Sequence, residues 1–137
     1  VFINMAHRLT FRPMVWGLGA WFVCFMAGVA LYRFWMPLWL GGLDLSHVED
    51  GQLVEYLNER QAWSPPVIAF RVFQFGGWFL AGMVTALKAG SNRIAHALGA
   101  AVLGTLVFMN PLHSLLCMLL SALGAGAVAV REGGCAG

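Results

Sequence analysis

With 137 residues, 60% of them hydrophobic and only 10% charged, the chain is too poor in charge to cover a soluble surface, where roughly 25% charged residues is usual. Lipid removes that requirement, because it solvates an apolar exterior. A net charge of +2 without a basic run excludes a nucleic-acid partner, and the length suits one domain, residues 1–137.

The chain begins at Val1, and Met5-Ala6-His7-Arg8 reads as a bacterial start. Arg8 and Arg12 precede an apolar run, Met14 to Tyr32, that carries no charge. A signal peptide cleaved near Gly28-Val29-Ala30 is the rival reading, but the uncharged run is long for a signal core. Its 19 residues cover roughly 28 Å as a helix, close to a hydrocarbon core of about 30 Å. Arg33 then sits among Tyr32, Phe34, Trp35 and Trp39, the composition of a headgroup-level belt. Pro37 is expected to end or kink this first span.

Residues 44–64 form the strongly polar stretch and hold Asp44, Glu49, Asp50, Glu55 and Glu59. Ser46, with Glu49 three residues on, has the spacing of a capping box. Leu53, Val54 and Leu57 are expected on one face of an amphipathic helix over about 48–61, opposite Gln52, Glu55 and Glu59. Such a helix would lie on the membrane surface, with Glu49, Glu55 and Glu59 available to dock a partner. Pro65-Pro66 stops it and starts a second span over 67–87, interrupted by Arg71 and Gln74.

A turn with Gly-Ser-Asn chemistry, residues 88–93, leads to two more apolar segments, 94–109 and 112–130. Asn110-Pro111 alone separates them, and Arg93 and Arg131 bound the outer ends, which reads as a helical hairpin crossing a bilayer. The fold class expected is therefore an all-α integral membrane protein, four spans in a compact bundle with an exterior amphipathic helix after the first. Five basic residues, Arg8, Arg12, Lys88, Arg93 and Arg131, fall on one side and three, Arg33, Arg60 and Arg71, on the other. That bias puts both termini in the cytoplasm. Short loops favour a bacterial inner membrane.

Each span carries small residues at helical spacing: Gly17, Ala20, Cys24 and Ala27 or Gly28; Gly77, Ala81, Gly82 and Ala86; Ala95, Gly99, Ala100 and Gly104; Ser114, Cys117, Ser121 and Gly124. Such residues let helix backbones approach closely, and the bulky Leu, Phe, Val, Met and Trp faces would turn to lipid.

Chemistry has few candidates. Arg71 lies in the outer part of its span with Gln74 at i+3, and an ionisable residue at membrane depth is a functional candidate. Arg33, Arg71 and Gln74 could together hold an anionic headgroup or ligand. The plainer reading is that Arg71 snorkels, or pairs with Asp50, Glu55 or Glu59. His7 with His96, and His47 with His113, share depths, yet neither pair has a haem-ligating motif. Cys24, Cys117 and Cys135 are too dispersed for a metal or redox pair, and Cys24 and Cys117 read as small hydrophobes. No span holds an acid, whereas the small multidrug-resistance transporters of this size carry one in the first span. No cofactor, metal or catalytic residue is implied.

The run Phe73-Gln74-Phe75-Gly76-Gly77-Trp78-Phe79-Leu80-Ala81-Gly82 resembles the second span of the four-span DoxX-like membrane proteins. Gln74 stands where those proteins often have an acid, and the loop that follows is longer. Two functions are compatible with these features. One is a non-catalytic accessory or assembly subunit, in a larger membrane complex or a homo-oligomer. The other is a small transporter or anionic-lipid-binding protein using the outer Arg pair.

Overall fold

The computed structural model describes residues 9–49, 51–106 and 111–134, without the side chains of residues 111 and 112. Among these residues all regular structure is helical: α1 Phe11–Gly41, α2 Leu53–Ala62, α3 Pro65–Ala89, α4 Arg93–Thr105 and α5 Pro111–Gly134. Three helices, α1, α3 and α5, are long and apolar enough to cross a membrane.

α1 runs past the expected end of the first span. Its 31 residues correspond to roughly 46 Å, longer than a hydrocarbon core of about 30 Å. Pro37 lies inside the helix and does not end it. A proline removes one i→i−4 bond, here within one turn of the C-terminus, and Met36 beside it is buried. After Gly42, the Asp44 carboxylate accepts hydrogen bonds from the Ser46 hydroxyl (2.6 Å) and amide (3.0 Å). Ser46 is thus committed to a local turn and caps no helix. α2 begins later than its apolar pattern suggests, at Leu53, which leaves Gly51 outside it. Its half-buried positions are Leu53, Tyr56, Leu57 and Gln61, whereas Val54 is 70% exposed. The inward stripe keeps Leu53 and Leu57 and takes Tyr56 and Gln61 in place of Val54, a rotation of about 30° at roughly 100° per residue that gives the i, i+3, i+4 spacing of a helix face.

Ser64 is the N-cap residue of α3, and Pro65-Pro66 fill N1 and N2, where a missing amide costs nothing. α3 is the centre of the bundle and packs on α1, α4 and α5. It runs antiparallel to α1, since Gly17 meets Ala81 and Thr85 while Gly28 meets Phe70 and Phe73. It runs parallel to α5, since Phe75 meets His113 and Gly82 meets Ser121. α4 fits between as the antiparallel return, with Ser121 Oγ donating to the Ala97 carbonyl at 2.9 Å.

The small residues form the interfaces. Gly17, Gly28, Gly77, Ala81, Gly82, Ala86, Ala100, Gly104, Cys117, Ser121 and Gly124 are buried. At the α3–α5 crossing a side chain on Gly82 would run into the Ser121 carbonyl, and one on Gly124 into the Phe79 carbonyl. The assignment of tryptophan to lipid needs correcting. Trp78 is fully buried against Ala81, Ala101 and Cys117, in the space that Gly104 leaves open for its ring. It stacks on Trp21 at 4.9 Å, and the series continues through Phe25, Phe70 and Tyr32 down the α1–α3 interface. Aromatic pairs of this geometry contribute about 0.5–1.5 kcal/mol beyond area burial.

α4 has 13 residues, roughly 20 Å. Its buried face is His96, Ala97, Ala100, Ala101, Gly104 and Thr105. The expected third span extends to residue 109, and its end lies outside the described residues.

Candidate functional site

One end of the bundle gathers Arg33, Arg71 and Gln74. Tyr32 and Phe70 touch, with ring centroids 5.8 Å apart, which sets their neighbours Arg33 and Arg71 at one level. Gln74 is buried on the core face of α3, one turn further on. Arg71 Nη1 donates to Gln74 Oε1 at 3.2 Å, which satisfies a buried carbonyl oxygen from an exposed guanidinium. Arg71 therefore turns toward Gln74. Among the described residues no ion pair joins it to Glu55 or Glu59, and Asp50 lies outside them. Arg33 is exposed, with no hydrogen bond to Gln74 and no ion pair among the described residues. The structure brings Arg71 and Gln74 together and leaves Arg33 beside them.

α2 stands at the same end. It packs on no other helix to any extent, and its tie is a 3.4 Å hydrogen bond from Gln61 Nε2 to Tyr32 Oη. Glu49, Glu55 and Glu59 are exposed and have no cationic partner among the described residues. Arg60, which could have neutralised them, is stacked over the Tyr56 ring at 4.9 Å. The Asp44 carboxyl nearby is held below the usual aspartate range by its two hydrogen bonds from Ser46.

The opposite end is tied by polar contacts that sequence reasoning did not pair. Thr10, the N-cap residue of α1, donates its amide to His96 Nε2 at 3.0 Å, and His96 Nδ1 lies 3.0 Å from the Asn92 carbonyl. An amide can only donate and a carbonyl can only accept, so these partners fix one neutral tautomer, protonated at Nδ1. Both ring nitrogens are engaged, which removes His96 from the ligand pairs considered for haem; His7 lies outside the described residues. His113 is packed against Phe75, and His47 lies 3.8 Å from Asp44 at the surface. Arg93 forms an ion pair with Glu132, the one acid outside the polar stretch, and so closes the α4–α5 pair. Lys88 stands over the Trp16 ring at 5.2 Å, at the same end as Arg12. No group of three metal-ligating side chains occurs among the described residues.

No protein-family model, curated protein or solved structure matches the chain. The likeness of residues 73–82 to the DoxX-like span thus gains no support beyond those ten residues.

Proposed function

We propose that this protein is a four-span membrane protein that serves as a non-catalytic accessory or assembly subunit, docking a larger complex or a second copy through α2. The observation that carries this reading is the state of α2. It is a formed helix without an extensive contact to another helix, tied to α1 by the Gln61–Tyr32 bond, and its acids have no ion-pair partner among the described residues. A 10-residue helix is marginal alone in water, so a surface that orders it against something else is consistent with its presence. α4 is read as the third of four crossings, between α3 and α5; the Arg93–Glu132 ion pair, which brings the end of α5 back to the start of α4, supports it. Arg12, Lys88, Arg93 and Arg131 would then face the cytoplasm of a bacterial inner membrane, and α2 would face outward.

Affinity purification of tagged protein in mild detergent, with mass spectrometry of the co-purifying chains, tests the proposal. A stoichiometric partner, or a discrete homo-oligomer, that is lost in Glu55→Lys/Glu59→Lys is expected. A partner-free monomer whose behaviour the double variant does not change would sink it.

A second reading, a ligand site at Arg33, Arg71 and Gln74, has the Arg71–Gln74 bond in its favour. Arg71→Leu separates the two. The subunit reading expects intact insertion and partner capture, whereas the ligand reading expects loss of a bound anion from an intact bundle.

A further inference from the structure

Two cavities at the Lys88 end adjoin each other and differ in chemistry. The first, about 390 Å³, is lined by Thr10, Arg12, Pro13, Trp16 and Lys88. Neither Arg12 nor Lys88 has an acidic partner among the described residues, because Glu132 is engaged by Arg93. The second, about 710 Å³, is a groove lined by Val15, Trp16, Gly19, Ala20, Val23, Cys24 and Val84, with almost no polar surface. Trp16 lines both. Trp16 lies roughly 6 Å along α1 from Arg12, and the groove continues another 12 Å to Cys24, close to the depth of one leaflet at half of a 30 Å core.

We infer that the two cavities form one binding site for an anionic phospholipid, with the phosphate between Arg12 and Lys88 and an acyl chain along Gly19. The charge pattern selects this occupant. A dibasic cup at headgroup level attracts phosphate, an indole at the boundary suits the interface, and an apolar groove below it suits a hydrocarbon chain. Gly19 is what opens the groove, since a Cβ placed there would meet no atom within 4 Å. The site lies at the end of the bundle opposite Arg33 and Arg71. It rests on membrane integration and not on docking through α2, so loss of the partner in the Glu55/Glu59 variant would leave it intact.

The test is native mass spectrometry and equilibrium binding of the full chain, with phosphatidylglycerol, phosphatidylcholine and inorganic phosphate as probes. One phosphatidylglycerol is expected to bind per chain, well ahead of phosphatidylcholine. Arg12→Gln/Lys88→Gln should lower its affinity roughly 30-fold, since each basic residue near an anionic surface contributes about fivefold. Gly19→Leu, which fills the groove without touching the core, should weaken phosphatidylglycerol while leaving helix content unchanged. Equal binding of phosphatidylcholine, or retention of phosphatidylglycerol by both variants, would overturn the assignment. So would inorganic phosphate binding as tightly as the lipid, which would mark a soluble-phosphate site. A Gly19→Leu change that alters only the oligomeric state would instead make the groove a contact between copies.

Discussion

Replacing Gly82 with alanine should separate α3 from α5. The added Cβ would sit 2.6 Å from the carbonyl carbon of Ser121 and 2.8 Å from its Cα. Ordinary carbon contacts are about 3.5–4.0 Å, so the helices must part by roughly 1 Å. The obstructing atoms are backbone, and no rotamer change can relieve them. Overpacking of this kind costs about 1–3 kcal/mol, and we expect about 2 kcal/mol here, because parting also strains the Ser121–Ala97 hydrogen bond. Gly76, one and a half turns away on the exposed face, meets nothing within 4 Å and is the control. Unfolding of the reconstituted protein by graded SDS in mixed micelles, followed by near-UV circular dichroism, gives the difference. Gly82→Ala should unfold earlier than wild type, and Gly76→Ala should match or exceed it. Gly124→Ala acts at the same crossing, so the double variant should cost less than the sum of the two. Equal stability of Gly82→Ala and Gly76→Ala would refute the close-crossing account.

Further expectations concern the polar ties. His96→Ala removes the acceptor of the Thr10 amide and the donor to Asn92, and should cost about 1–2 kcal/mol; hydrogen exchange at Thr10 should quicken, and unchanged exchange would count against the tie. Glu132→Gln should cost less than about 1 kcal/mol, because the pair is partly solvated, and the difference from wild type should shrink further in high salt. At Asp44 the folded carboxyl titrates below its unfolded range. Its contribution to the turn is therefore fully present above the unfolded value and is lost as pH falls through the lowered folded value. Ser46→Ala should raise the Asp44 midpoint, as read from its side-chain carbon shift by NMR; an unmoved midpoint would remove the Ser46 hydroxyl as the main cause.

Much of the helical layout is legible in the sequence because it follows from one-dimensional signals. Apolar runs mark α1, α3 and α5, Pro65-Pro66 starts α3, and Gly-Ser-Asn turns the chain before α4. The small residues are legible as packing surfaces for the same reason, since their spacing repeats along each helix. The remainder depends on what each residue meets across the fold. Trp78 looks like a lipid-facing residue until Gly104 is placed opposite its ring. Arg12 and Lys88 are 76 positions apart and converge only because α1 and α3 are antiparallel. Ser46 had an equally good local partner in Asp44, two residues back, and that nearer acceptor won over a helix cap.

The composition of α4 has a consequence for how the bundle is built. Its Ala- and Gly-rich face offers lipid little, its N-terminus carries Asn92, Arg93 and His96, and its contacts come from α1, α3 and α5 together. A segment of that kind gains little by entering a bilayer ahead of its neighbours. On the four-span reading, α1 and α3 should settle first, and α4 should wait and enter with α5 as a unit once Arg93 can meet Glu132. Chains truncated before α5 should leave α4 accessible to water-borne labelling reagents even while the first two helices are already embedded.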